Sequence, residues 1–282
     1  MNNKKYLNSW RSAVPQPETF LEKSRNRLRN IYLSTAAKNT YSKTDSDFLR
    51  CIYCHYVFDD QIEKFEEIIL TLKNMGDFIT TDECLQMLKS KKKIKGKYFH
   101  LSFDDGFRNI YKNAYPILLK YNIPAITFIP TRFIDVDWET TSKYCIDIAK
   151  YKGVIETLKW DDIREMSKNG YEFGSHTRSH TDLSKISDNS NILIDEINGS
   201  KSDISNQLNI ECDYFAWPFG EMKHINEKSL QFINKAGFKA CFGAFRGSLI
   251  KGKTNFLKLP RHHFEVEWPL SHIKYFAMGN ME

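Results

Sequence analysis

The sequence predicts an α/β protein, a parallel sheet closed or nearly closed into a barrel of about seven strands, preceded by a helical extension. Three observations predict it. From residue 50 onward short apolar strands alternate with amphipathic helices, and a helix between successive strands implies parallel pairing. The length of 282 residues, 41% apolar, suits one barrel with a sizeable core. Residues able to do chemistry recur just after the apolar runs, where a parallel barrel gathers them at one mouth.

The elements follow in order. "CIYCHYVF" at 51–58 reads as the first strand, and 61–76 as a helix with Phe65, Ile68, Ile69 and Leu72 on one face and Gly76 as its stop. A second helix spans 80–90, with Thr81 or Asp82 as its cap. Strand 97–103 follows, then helix 109–122, where Pro116 marks a kink or a start, and strand 124–130. Helix 159–170 ends at Gly170, ahead of strand 171–176. A long helix covers 191–208. Residues 213–220 form a strand and turn, 226–237 a helix, 238–244 a strand and 256–262 the last strand, with a C-terminal helix to close. "KSKKKIKGK" at 89–97 reads as a solvated loop. Segment 130–158 carries no readable motif, and the chain has no internal repeat.

Residues 1–47 read as a basic extension and 48–282 as the barrel. Residues 1–50 carry ten Lys/Arg against four Asp/Glu, whereas 51–282 carry 31 of each sign. The body is therefore neutral, and no nucleic-acid-binding face is expected. "SAVPQPET" at 12–19 reads as a linker. Residues 19–35 read as a basic helix with Leu21, Leu28, Ile31 and Tyr32 at helical spacing and Arg25, Arg27 and Arg29 between them. Such a helix suits weak peripheral contact with an anionic membrane. Its narrow apolar face favours packing on the barrel with the arginines in water. The first twenty residues show no apolar leader core and no run nears the ~18 apolar residues of a spanning helix, so a cytoplasmic protein is expected. Cys51 and Cys54, three apart on a strand, should face opposite sides, so the six cysteines are expected to be reduced.

Of eight histidines, five follow strands: His55, His176, His180, His262 and His263. In "HTRSH", a helical turn would put His176 and His180 on one side, within reach of one ion. With a carboxylate they would form a set suited to zinc or another first-row divalent metal. Asp104 and Asp105 end the strand "FHLSF". One would bind the metal and the other would take a proton from water, while Gly106 lets the chain turn sharply. A nearby cation offsets the repulsion of the pair.

"LSFDDGF", "GSHTRSH" and "FAWPFG" closely resemble the polysaccharide deacetylase (NodB-homology) family over roughly residues 50–265. The resemblance implies a distorted (β/α)₇ barrel and metal-dependent removal of acetyl groups from amino sugars, on one divalent ion, Zn²⁺ being expected. It implies Asp105, His176 and His180 as ligands and Asp104 as general base. By the same resemblance Phe219 is expected to supply the oxyanion donor, since Pro218 has no N–H, and Trp217 to form either a wall for the sugar or part of the core. The sequence departs from the family pattern at Ala216, where many members carry an arginine that orients the base. Arg261 in "LPRHHF" is expected to fill that role. The last-strand histidine motif is not a clean match, whereas "YCHYVFDD" resembles the first-strand histidine of the poly-N-acetylglucosamine deacetylases. His55 is therefore expected to protonate the leaving amine, ahead of His262 and His263, with His263 at the substrate. The substrate is expected among nucleotide-linked, lipid-linked or other cytoplasmic amino sugars. An allantoinase-like amidohydrolase and a silent glycan-binding protein are the alternatives.

Overall fold

The structure, a computed structural model, describes residues 5–13, 20–41, 47–186 and 190–279. The expected linker at 12–19 lies, from residue 14, outside the described residues. The strands are β1 (Phe48–Cys54), β2 (Asp77–Phe78), β3 (Lys97–Phe103), β4 (Ala125–Ile129), β5 (Glu172–Ser175), β6 (Tyr214–Ala216), β7 (Ala240–Phe242) and β8 (His262–His263). The helices of the extension are α1 (Trp10–Ala13) and α2 (Phe20–Tyr41). Those of the body are α3 (Ile62–Lys73), α4 (Thr81–Lys89), α5 (Tyr115–Lys120), α6 (Trp138–Lys143), α7 (Trp160–Lys168), α8 (Ser190–Ile194), α9 (Ser200–Leu208), α10 (Glu227–Lys235) and α11 (Leu270–Ala277).

Every pairing between these strands is parallel, in the order β7-β6-β5-β4-β3-β1-β8, and β2 adds to the first half of β3. The sheet curls into the predicted barrel. Closure falls to the chain's last extended segment. Leu259 bridges to Phe242 of β7, His262 and His263 pair with Ile52 and Tyr53 of β1, and Phe264 N–H donates to the Tyr53 carbonyl. The expected strand 256–262 is thus mostly irregular, because Pro260 cannot donate to a ladder and the segment changes partner between two strands.

Side chains alternate across the sheet. Leu49, Cys51, Phe128, Ala216, Phe242 and Leu259 fill the interior, and Ile52, Cys54, Leu101, Phe103 and Phe215 face the surrounding helices. Cys51 and Cys54 lie on opposite faces, as expected, and all six cysteines are free and buried. Helix α4 seals the end formed by the strand N-termini. Cys84, Leu85 and Leu88 join the interior cluster, each buried leucine contributing about 1.5–3 kcal/mol. Thr81 contacts His100 and Glu172, and Tyr214 donates to Asp82 at 2.5 Å. The cap of α4 is Thr80 rather than Thr81 or Asp82, in a reciprocal pair with Glu83.

Two expected helices are interrupted. Residues 109–122 form a wide turn at Ile110–Ala114 ahead of α5, which accommodates Pro116 near the helix start. Residues 191–208 break at a wide turn, Asp195–Gly199, between α8 and α9. Segment 130–158 holds α6 and a wide turn at Tyr144–Ile148. The extension packs on the barrel. Leu33 of α2 is buried, Ser34 hydrogen-bonds Ser271 of α11, and Leu7 N–H donates to Val154. The apolar positions expected to pack, Leu21, Leu28, Ile31 and Tyr32, face solvent instead. No helix among the described residues is long and apolar enough to cross a membrane.

Candidate active site

Strand β3 ends at Phe103, and the next residues leave the sheet. Asp105 and Gly106 both take left-handed backbone conformations, with φ of 71° and 66°. A Cβ on Gly106 would stand 3.2 Å from Ile134 and 3.3 Å from Ile129, so glycine serves both the turn and the close packing. The turn aims Asp104 and Asp105 at the same mouth, where both are buried.

His176 follows β5 directly. His180 is brought back beside it by a loop, not by the helical turn that the spacing suggested. Thr177 and His180 have φ of 62° and 54°, a conformation no helix repeats. The loop is held from outside. Glu196, in the wide turn before α9, accepts from the N–H groups of Arg178 and Ser179 at 3.0 and 2.8 Å. Arg178 in turn pairs with Asp195 and Asp203.

The result is a compact group of three side chains able to hold an ion. Asp105 Oδ1 lies 3.4 Å from His176 Nε2 and 3.1 Å from His180 Nε2. Ligand atoms of all three lie within 4.8 Å of one another, and all three residues are buried. His176 Nδ1 lies 2.7 Å from the Ala216 carbonyl. Since a carbonyl only accepts, Nδ1 carries the proton, and the lone pair of neutral imidazole stands on Nε2, toward Asp105. This tautomer and the two-imidazole, one-carboxylate donor set fit a divalent first-row metal. Burial alone would raise the Asp105 pKa; whenever His176 and His180 carry protons on Nε2 as well, they outweigh burial and hold the carboxyl well below the ordinary value.

Asp104 has a different partner. Arg261 is fully buried and grips both carboxylate oxygens at 2.8 Å through two guanidinium nitrogens. It also donates to Ser102 Oγ and the Gly243 carbonyl, and its guanidinium carbon lies 4.4 Å from the Tyr53 ring centre. Such a fork is strong and directional. Against burial, Arg261 keeps the Asp104 pKa below the usual range.

The remaining predicted residues divide. His55 stands just past β1, its ring 5.3 Å from that of His263. Burial lowers its pKa, opposed by Asp105. Phe219 packs edge-on against His180 at 4.8 Å, in a turn where a Cβ on Gly220 would stand 2.0 Å from that of Ala244. Of the two readings of Trp217, the structure takes the core. The residue is fully buried, stacks on Phe245 and donates to the Glu221 carbonyl, because alternation turns Ala216 inward and Trp217 toward the outer core; it offers no wall to a sugar. His262, one position out of phase with Arg261 and His263, is buried beside Ile52, Ile273 and Phe276 and away from the mouth.

Sequence reasoning missed Tyr144 and Tyr151. Tyr151 donates to Asp105 Oδ2 at 2.5 Å and Tyr144 to the Asp105 backbone carbonyl at 3.0 Å. Both come from segment 130–158, where no periodicity marks them. Glu196 was hidden inside an expected helix.

Residues 91–241 match the family described as Polysaccharide deacetylase. The chain is 32% identical over 187 residues to the poly-β-1,6-N-acetyl-D-glucosamine N-deacetylase of Staphylococcus aureus, covering 64% of this chain and 59% of that protein. It therefore spans about three fifths of the length of the curated relatives it matches. Among solved structures it resembles IcaB from Ammonifex degensii, with a TM-score of 0.69 and 20% identity over 83% of this chain and 98% of the other. It also resembles the Streptococcus pyogenes deacetylase PplD in complex with acetate, with a TM-score of 0.67 and 21% identity over 83% and 99%. At these identities the structural likeness establishes the barrel fold. The family match spans more than half of the sequence and contains Asp104, Asp105, His176 and His180, and the chain belongs to the polysaccharide deacetylase family.

Proposed function

We propose that the chain is a metal-dependent hydrolase that removes the N-acetyl group from an amino sugar in a glycan or glycan precursor. The polymer named for its Staphylococcus aureus relative, poly-β-1,6-N-acetyl-D-glucosamine, is the first substrate to test. The observation that carries this reading is the division of labour between adjacent carboxylates. Asp105 faces two imidazoles, and Asp104 is gripped by Arg261.

A divalent ion held by Asp105, His176 and His180, Zn²⁺ in our reading, supplies Lewis-acid polarisation of the amide carbonyl and acidifies water at the site. Asp104 accepts a proton from water as the water oxygen adds to the carbonyl carbon. Arg261 keeps Asp104 ionised and fixes its orientation. The Phe219 N–H donates to the oxyanion that develops. His55 delivers a proton to the nitrogen as the C–N bond breaks, leaving an amine and acetic acid, which passes its proton to the amine or to water to become acetate, with His263 beside it at the substrate. One proton taken by Asp104 and one given by His55 balance the hydrolysis.

Metal-loaded protein is expected to release acetate from N-acetylglucosamine oligomers. Asp104→Asn should lower kcat about 10²–10⁴-fold, the usual range for a general base. Full activity in Asp105→Ala would sink the ligand assignment.

The reading extends to α2. Exposed Leu21, Leu28, Ile31 and Tyr32 beside exposed Arg25, Arg27 and Arg29 suit peripheral contact with an anionic membrane.

A further inference from the structure

A second cluster stands at the mouth, built from the closing segment and the end of β1. His55, His263 and Glu265 place ligand atoms within 4.8 Å of one another. Its geometry repeats that of the first set. The rings of His176 and His180 are 5.0 Å apart at 67°, and those of His55 and His263 are 5.3 Å apart at 63°. In the first set a carboxylate oxygen lies 3.1 Å from His180 Nε2, and in the second Glu265 Oε1 lies 3.1 Å from His263 Nε2.

His263 Nε2 and Glu265 Oε1 are close but poorly aligned for a hydrogen bond. The histidine's Nε2 is buried and has no aligned partner, although a carboxylate oxygen is within reach. A nitrogen and an oxygen close together but misaligned for a shared proton are what two ligands of one ion look like. Tyr56 stands beside Glu265, and burial together with that carboxylate raises the tyrosine's pKa; a neighbouring hydroxyl of this kind can orient a ligating carboxylate. The side chains of His263 and Glu265 remain 28% and 25% exposed, which gives an ion a path from solvent. The backbone fixes the pairing, since His263 is in register with Tyr53 and the next N–H bonds the Tyr53 carbonyl.

We propose that His55, His263 and Glu265 form a second divalent-cation site whose occupation inhibits the enzyme. Two imidazoles and one carboxylate suit Zn²⁺ and its first-row neighbours. The inhibitory part rests on His55 as proton donor. An ion on the imidazole nitrogen takes the lone pair that would carry the departing proton, so a chain loaded at both sites cannot protonate the amine. Being partly exposed, the second site binds more weakly than the first and fills only when metal is in excess.

The test is a Zn²⁺ titration of the metal-free full chain, with bound metal counted after equilibrium dialysis. Wild type is expected to bind two equivalents, one tight and one weaker. Glu265→Gln should keep the tight equivalent and weaken the other at least 10-fold, and His263→Gln, an independent removal of a ligand, should do the same. Asp105→Asn should lose the tight equivalent and keep the weaker. Where acetate release is measured, excess Zn²⁺ should slow wild type and spare Glu265→Gln. A wild type that saturates at one equivalent overturns the proposal, as does a second equivalent unchanged in both variants. Two equivalents with the expected variant pattern but no acetate release would uphold the site and overturn the deacetylase reading. Acetate release that excess Zn²⁺ does not slow, with two equivalents bound, would overturn the inhibitory role.

Discussion

Asp105 has two carboxylate oxygens with different duties. Oδ1 faces His176 and His180, and Oδ2 accepts from the part-buried Tyr151 hydroxyl at 2.5 Å. The tyrosine thus reserves one oxygen and holds the carboxylate plane for the other. Tyr151→Phe keeps the packing against Tyr56 and Phe107 and removes only the hydroxyl. Its affinity for Zn²⁺, measured by chelator competition, should fall about 10-fold or more, as when outer-shell partners of other metal sites are removed. Arg261 does comparable work for Asp104. Arg261→Met leaves a buried carboxylate without its cation and should cost about 3–5 kcal/mol of stability. Because Arg261 holds the Asp104 pKa low, its loss raises that pKa, and the acidic limb of the kcat/KM profile should move to higher pH. The stability gap should be complete above the variant's raised Asp104 pKa and close as the pH falls through it, since protonation relieves the stranded carboxylate of the variant first. An unmoved acidic limb would argue that Asp104 is not the base. Asp104 and Asp105 were legible as a pair in "FHLSFDDGF", because adjacent carboxylates at a strand end need a cation. Tyr151 was not legible, because a tyrosine in an irregular loop reads the same whether it meets a ligand or water.

At the scale of elements, the loop that carries both histidines depends on a break in the next helix. The wide turn Asp195–Gly199 swings Glu196 back to cap the Arg178 and Ser179 N–H groups. Gly199 has a packing reason to be glycine: a Cβ there would stand 2.8 Å from the Arg178 guanidinium. Glu196→Ala should cost about 1–3 kcal/mol for the backbone donors it strands, visible in the urea midpoint. It should also weaken Zn²⁺ binding, because His180 loses its fixed approach. Unchanged metal affinity would show that the loop holds its shape unaided. The periodic pattern of 191–208 matched a continuous helix, since one inserted residue in a turn barely disturbs a 3.6-residue period. The H-x₃-H spacing led to the right pair of rings through the wrong local structure. A spacing of four brings side chains together on a helical turn, but two left-handed residues in a loop do so as well.

At the scale of the molecule, the described residues of the N-terminal extension touch the barrel through both helices. Tyr6, Leu7 and Trp10 pack with Tyr144, Tyr151 and their neighbours, so the start of the chain underlies the segment that buttresses Asp105. Helix α2 lies on α11 through Leu33 and Ser34 and leaves Leu21 at 79% and Leu28 at 69% exposure. With its three exposed arginines, the full chain should sediment with vesicles rich in anionic lipid, less so at high salt, and not with neutral vesicles. Arg25, Arg27 and Arg29 changed together to Gln should abolish the difference. Equal binding to both vesicle types, or to neither, would dismiss the membrane reading and leave α2 as a packing helix alone.

The sequence by itself determined the strand–helix alternation, the parallel sheet, the inward and outward faces of Cys51 and Cys54, and the candidates gathered after successive strands. These are short-range properties: period, strand polarity and turn chemistry act within a few residues. Only the tertiary structure decided which candidates meet. Arg261 reaches Asp104 across 157 residues, His263 rather than His262 faces His55, and Trp217 is walled into the core. Those outcomes follow from how the last segment closes the barrel. A shift of one residue in that segment would exchange every inward side chain for an outward one, and only the packing of the whole sheet selects between the two.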